Sequence, residues 1–209
     1  MRRRTTVGLI ATATVVCLLI GAQAASAAAN ICIAAHGAVK VQKGTAMCEA
    51  SGKGSIARAI GDGSVAIATG GDHNKAIARG DGSSAHATGG DRNTAIVRGE
   101  ASVAQAWVGN KNTAIASGGR SYAGAVSGDH NIAVARRGSY ASATNGDRNI
   151  AIASGDRSGA EAGYGDRNTA IARGDRSLAQ AFFADDATAI ARTDGCAASA
   201  ISNGQTDSC

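Results

Sequence analysis

The chain has 209 residues, a formal net charge of +5, 29 glycines, no proline and only 3% aromatic residues. A layered globule needs large side chains in its core, so this composition excludes one and calls for a geometry that buries small residues. Three arginines fall within the first four residues, and without them the net charge is +2, too small a basic excess for a nucleic-acid partner.

Residues 1–27 read as a secretory signal peptide. Arg2, Arg3 and Arg4 make a positive n-region, Val7 to Ile20 is an apolar stretch of secretory length, and Ala25-Ser26-Ala27 is a small-residue cleavage site. The stretch is short for a membrane span, so no span is expected after cleavage. The expectation is a secreted protein of bacterial type, extracellular or in the cell envelope. Residues 28–33 then form an N-terminal cap segment, 34–203 a repeat domain, and 204–209 a tail closed by a disulfide.

The mature chain keeps Cys32, Cys48, Cys196 and Cys209, an even set in an exported protein, for which disulfides are the default. No spacing among them suggests zinc.

Between the two cysteine pairs one phrase recurs. "GDHNKAIARGDGSSAHA" at 71–87 returns as "GDRNTAIVRGEASVAQA" at 90–106 and as "GDRNTAIARGDRSLAQA" at 165–181. Units run 72–90, 91–109, 110–128, 129–146, 147–165, 166–184 and 185–203, all of 19 residues except 129–146 with 18. Two weaker units, 34–52 and 53–71, precede them. A period of this length suits one coil of a β-solenoid, and the density of glycine breaks helices. The predicted fold is all-β: a single-domain parallel β-solenoid, or β-roll, of about nine coils with two short strands in each. Pairing a cysteine of one end with one of the other would then span eight coils, about 38 Å, against a limit of about 7 Å. The expected disulfides are therefore Cys32–Cys48 and Cys196–Cys209.

Alternation along each strand separates two faces. One carries Asn168, Ala170 and Ala172 on the first strand and Ser177, Ala179 and Ala181 on the second. The other carries Arg173 and Gln180. The interior must be the Ala/Asn/Ser face, because the opposite choice buries a column of arginines. The sixth position of each unit then points outward: Ile77, Ile96, Ile115, Val134, Ile152, Ile171 and Ile190. Stacked coils align these seven about 4.8 Å apart in an apolar ladder, which marks a covered surface and a homo-oligomer interface. The alternative is a kinked strand that tucks them inward.

Residues 64–68, "SVAIA", followed by Thr69-Gly70, resemble the Ser-Val-Ala-Ile-Gly repeat of YadA-like head domains in trimeric autotransporter adhesins. The resemblance covers the repeat region only. It implies a left-handed parallel β-roll packed as a trimer, with Ser64, Ala66 and Ala68 inside and Val65 and Ile67 facing neighbouring subunits.

The turns carry charge. Asp72, Asp91, Asp129, Asp147, Asp166 and Asp185 share a column interrupted by Asn110, and stacked carboxylates repel one another. Salt-bridge ladders to Arg92, Lys111, Arg148 and Arg167, with arginines at the eighth and eleventh positions, are the expected offset; a bound calcium ion is the alternative. No metal ligand set or cofactor is predicted. His73 and His130 share a column three coils apart, about 14 Å, too far to hold one ion. His36 and His86 show no evident partner. Serine recurs as a repeat position without a base beside it, so no enzyme is expected. Val103, Trp107, Tyr122 and Tyr140 stand out as anchors for a glycan or protein partner. The functional expectation is a secreted, non-enzymatic, structural or adhesion-like solenoid that acts through its surface and self-association. The alternative is a soluble calcium- or ligand-binding repeat protein.

Overall fold

The computed structural model describes residues 30–193 and 195–209. The signal peptide predicted over 1–27 and the first two residues of the predicted cap lie outside the described residues, as does Asp194. Every regular element described is a β-strand, and none of the described residues form a helix long and apolar enough to cross a membrane.

The repeat builds a parallel β-solenoid of about eight turns. Each coil gives its first strand to one eleven-stranded sheet and its second to another ladder, which has six strands and then two. Residues 158–163 separate those two groups without strand geometry. Their backbone still bridges the gap: Tyr140 N–H donates to Ser158 O at 3.0 Å, and Glu161 N–H to Ala179 O at 3.0 Å. The second ladder is therefore continuous in hydrogen bonding and loosened at one coil.

The N-terminal end differs from the expected coil at 34–52. Strand β1 (Ile31–Ala35) and β2 (Ala38–Lys43) form an antiparallel hairpin, and β1 also lies antiparallel to β4 (Ile56–Ile60), which follows β3 (Met47–Ala50). This stretch has no Gly-Asp corner of the repeat's kind to carry the chain around a coil. It doubles back instead, and all six residues of β2 are exposed. The turn count falls from about nine to about eight for that reason.

The core follows the alternation. Alanines 57, 59, 76, 78, 95, 114, 116, 133, 135, 151, 153, 170 and 172 are fully buried from the first sheet, and Val97 takes one such place. Opposite them stand Ala85, Ala87, Ala104, Ala106, Ala123, Ala125 and their successors, also fully buried. Two layers, almost all of alanine methyls, fill a thin interior in which Val97 is the one larger aliphatic side chain.

Polar columns close the two ends of this core. Asn74, Asn93, Asn112, Asn131, Asn149 and Asn168 are all fully buried. Each accepts the backbone N–H of the next column member through Oδ1, as Asn93 does from Asn112 at 2.9 Å. Most also donate from Nδ2 to a corner carbonyl of the following coil, as Asn93 does to Gly109 O at 2.7 Å. The column starts at Ser55, whose Oγ accepts Asn74 N–H at 3.1 Å, and ends at Ala187, whose N–H reaches Asn168 Oδ1 at 3.0 Å. The corners stack closely: a Cβ on Gly109, at φ 121°, would meet Gly128 O at 2.0 Å, so only glycine fits.

Both cysteine pairs stand at disulfide distance. Cα atoms are 5.5 Å apart for Cys32–Cys48 and 6.0 Å for Cys196–Cys209. The first ties β1 to β3 across the core at one end, and the second ties the chain's last residue to the other end.

Candidate functional site

The solenoid presents two broad outer faces and two edges of stacked turns. On the face of the eleven-stranded sheet the aliphatic column is unbroken. Ile77 pairs in register with Ile96, then Ile115, Val134, Ile152, Ile171 and Ile190. All seven remain on the outer side and are half-buried. None tucks inward, because the short strands keep strict alternation between fully buried alanines. Arg58 precedes the column and Ser208 follows it, so its ends are polar. Ile132 and Ile150 stand in register beside it and widen the apolar strip around Val134 and Ile152.

The stretch that resembles the adhesin head falls elsewhere. Ser64, Ala66 and Ala68 are fully buried. Val65 and Ile67 point outward from β5 (Val65–Thr69), a strand of the second sheet. In the next coil their positions become Ser84 and His86, then Val103 and Gln105. The two residues that would face neighbouring subunits by resemblance therefore lie on the opposite face from the isoleucine ladder, and their apolar pairing is not repeated.

The second face is where the coils differ from one another. Val103, Tyr122 and Tyr140 share one column. Tyr122 and Tyr140 stack at 5.2 Å with an interplanar angle of 9°. The Tyr122 hydroxyl donates to Gln105 Oε1 at 2.9 Å. Burial, with Tyr140 second, raises the Tyr122 phenol above its ordinary range. Trp107 stands apart from these three, in register with Thr88 and Val126 at the other margin of the sheet. Its indole N–H is buried without a hydrogen-bond partner among the described residues. His86 has a partner after all: its Nε2 lies 2.7 Å from Ser84 Oγ, with Trp107 at 6.3 Å. Burial lowers the His86 pKa.

A second aromatic group escaped the sequence reading. Tyr164 stacks on Phe183 at 5.0 Å, and Phe182 meets Tyr164 edge-on at 5.6 Å. Phe183 is 74% exposed and Tyr164 50%. Their positions fall at the strand end and in the following turn, where the repeat has no fixed residue. The signal was available: all six aromatic residues of the chain lie between 107 and 183, in the second half of a coil.

The charged edge departs from expectation. Among the described residues one ion pair is present, Arg167–Asp186 at 2.5 Å, with both side chains exposed. The guanidinium of Arg167 holds the Asp186 carboxyl below its usual range. The Asp column is offset by backbone instead. Asp72 Oδ1 accepts Lys53 N–H at 2.8 Å, and Asp91 Oδ1 accepts Asp72 N–H at 2.8 Å. Asp129 accepts Asn110 N–H at 2.6 Å, and Asp166 accepts Asp147 N–H at 2.8 Å. Asn110 does the same for Asp91 at 2.8 Å, so the position needs an acceptor rather than a charge. The basic residues beside this column, among them Arg92, Lys111, Arg148 and Arg167, adopt left-handed backbone. Among the described residues no group of three or more His, Cys, Asp or Glu is placed to hold a metal ion.

Comparison with protein-family models, with curated proteins and with solved structures gave no match.

Proposed function

We propose that this protein is a secreted, non-enzymatic structural module of adhesion-like type, which assembles with copies of itself through the isoleucine ladder and turns its varied second face outward. The observation that carries this reading is the unbroken, in-register row from Ile77 to Ile190 on an open sheet face. Polar or charged side chains would suit solvent there, and seven consecutive coils keep an aliphatic one. The core supplies the complementary argument. Alanine methyls bury little apolar area, whereas ordering each residue costs about 1–2 kcal/mol of backbone entropy. Covering the ladder would contribute about 1.5–3 kcal/mol for each side chain fully buried.

A trimer is the closure that the adhesin-head resemblance suggests, and parallel packing of straight ladders about a common axis accommodates it. The predicted export signal and the two cysteine pairs support a location outside the cytoplasm, where disulfides persist.

Light scattering on the purified mature protein tests the reading. Wild type should be oligomeric at micromolar concentration, and the double variant Ile115→Asp/Ile152→Asp should be monomeric with a lower Tm. A stable wild-type monomer would sink it.

A further inference from the structure

The N-terminal end of the solenoid is a step. β1 pairs with β4 and β3 with β5, so β1 and β3 stand at one level, and β2 adds a further strand to the first sheet alone. β2 ends the first sheet and β3 ends the second. Both edges are open among the described residues, except that Ala50 O accepts Gly37 N–H at 2.7 Å. No strand faces β2 across the core. Its Val39 and Gln42 pair with Ala34 and Cys32, which are buried, so they lie on the inward side of the sheet. Both are nevertheless exposed, Val39 at 51%.

The other end is closed by side chains. Asp207, in register with the buried Ala189, accepts Ser199 N–H at 2.8 Å, and Gln205 Oε1 accepts Ile201 N–H at 2.9 Å. Among the described residues no side-chain hydrogen bond reaches the backbone of β2 in this way. The chain itself has little left to cover the step. After cleavage at the predicted site only residues 28 and 29 precede Asn30. Two residues reach about 7 Å at most, short of the roughly 20 Å of a six-residue strand.

We propose that the step is a docking surface for the same step of a second copy, in a head-to-head pair with β2 of each copy beside β3 of the other. A twofold axis along the strands, at the level of β2 and midway between the sheets, exchanges the two sheets. Each overhanging β2 then fills the place missing beyond β3 of its partner. Both sheets run on through the junction, and the two Val39 side chains meet across the core. β2 runs with the first-sheet strands, because it is antiparallel to β1 and β1 is antiparallel to β4. The second-sheet strands run back, so the new pairing is antiparallel. Charge favours this partner over others. β2 carries Lys40 and Lys43 and no acid, a guard against edge pairing in general. β3 carries Glu49 and no base, with Glu49 on the outward side as Lys43 is. Pairing β2 with β2 would set lysines against lysines. Head-to-tail stacking does not interlock, because the first sheet also overhangs at the C-terminal end, through Thr206–Ser208. The pair closes on itself and leaves the isoleucine ladder free, so it stands independently of the ladder assembly.

Sedimentation equilibrium of the mature Ile115→Asp/Ile152→Asp protein, whose ladder is disabled, tests the proposal at low salt. Strands this short make a small interface, so a dimer with a Kd of about 0.1–0.5 mM is expected, well above the micromolar range that reads the ladder. Val39→Asp in that background should weaken it at least about tenfold, with circular-dichroism melts showing the variant folded. A charge exchange identifies the strands that pair. Glu49→Lys alone and Lys40→Glu/Lys43→Glu alone should each dimerise at least about fivefold more weakly, and an equimolar mixture of the two should recover, because both junctions then join opposite charges. The absence of a dimer up to about 1 mM would overturn the proposal. So would an unchanged Kd in Val39→Asp, or a mixture no tighter than its components.

Discussion

Asn93 Oδ1 accepts the backbone N–H of Asn112 at 2.9 Å, one full coil away. The amide side chain does inside the core what strand pairing cannot do at a corner: it satisfies a peptide group that the turn leaves without a backbone partner. Asn112 passes the same bond to Asn131 at 2.9 Å and donates to Gly128 O at 2.6 Å. Asn112→Ala should leave both groups buried and unpaired and destabilise the protein by about 2–4 kcal/mol, read by urea or thermal melts. A loss below about 0.5 kcal/mol would show that water can take over these bonds.

The Asp column makes a contrasting prediction. Asp129 acts as an acceptor for Asn110 N–H, and Asn110 itself fills the equivalent place one coil earlier. Asp91→Asn/Asp129→Asn should therefore change stability by less than about 0.5 kcal/mol, whereas Asp129→Ala should cost about 1–3 kcal/mol. Millimolar calcium should leave the wild-type Tm unchanged. A calcium-dependent rise abolished in the double Asn variant would favour the ion-binding alternative.

The two disulfides should act locally at opposite ends. Closing loops with separations of 16 and 13 residues, each should contribute about 2–4 kcal/mol. Hydrogen exchange in Cys32→Ser/Cys48→Ser should quicken in β1 to β4 and leave residues 94–136 protected. Peptide mapping without reduction should recover Cys32 with Cys48 and Cys196 with Cys209. A Cys48–Cys196 peptide would contradict the extended solenoid.

Glu161 sets a pH dependence. A carboxyl whose folded-state pKa is raised binds its proton more tightly in the folded state. It favours folding below its unfolded pKa and opposes folding as pH rises through the folded one. Burial raises the Glu161 pKa in this sense. Glu161→Gln should therefore raise the Tm at about pH 7 and leave it nearly unchanged at about pH 3, below the usual glutamate range. Equal Tm values at both pH values would show that the carboxylate is fully solvated.

Much of this architecture was legible before any coordinates, because a repeat multiplies weak local signals. One Gly-Asp corner or one Ala-x-Ala strand says little, but seven in register fix the coil, and the arginine column at the eighth position decides which face is inside. The sequence determined the solenoid, its alanine core, the outward isoleucines and the cysteine pairing that distance allows. Tertiary structure decided what depends on neighbours one coil away. The Asp column could read as ion pairs or as cation ligands until the preceding coil's N–H groups were seen to fill it. The hairpin at 31–43 replaces the first part of the weak unit expected at 34–52, a departure hidden in the sequence because strand direction leaves no mark on local composition. The aromatic group at Tyr164, Phe182 and Phe183 and the half-buried Glu161 fall where the repeat lapses, around Gly159 and Gly163. A missing side chain in one coil acquires meaning only from what the next coil places over it.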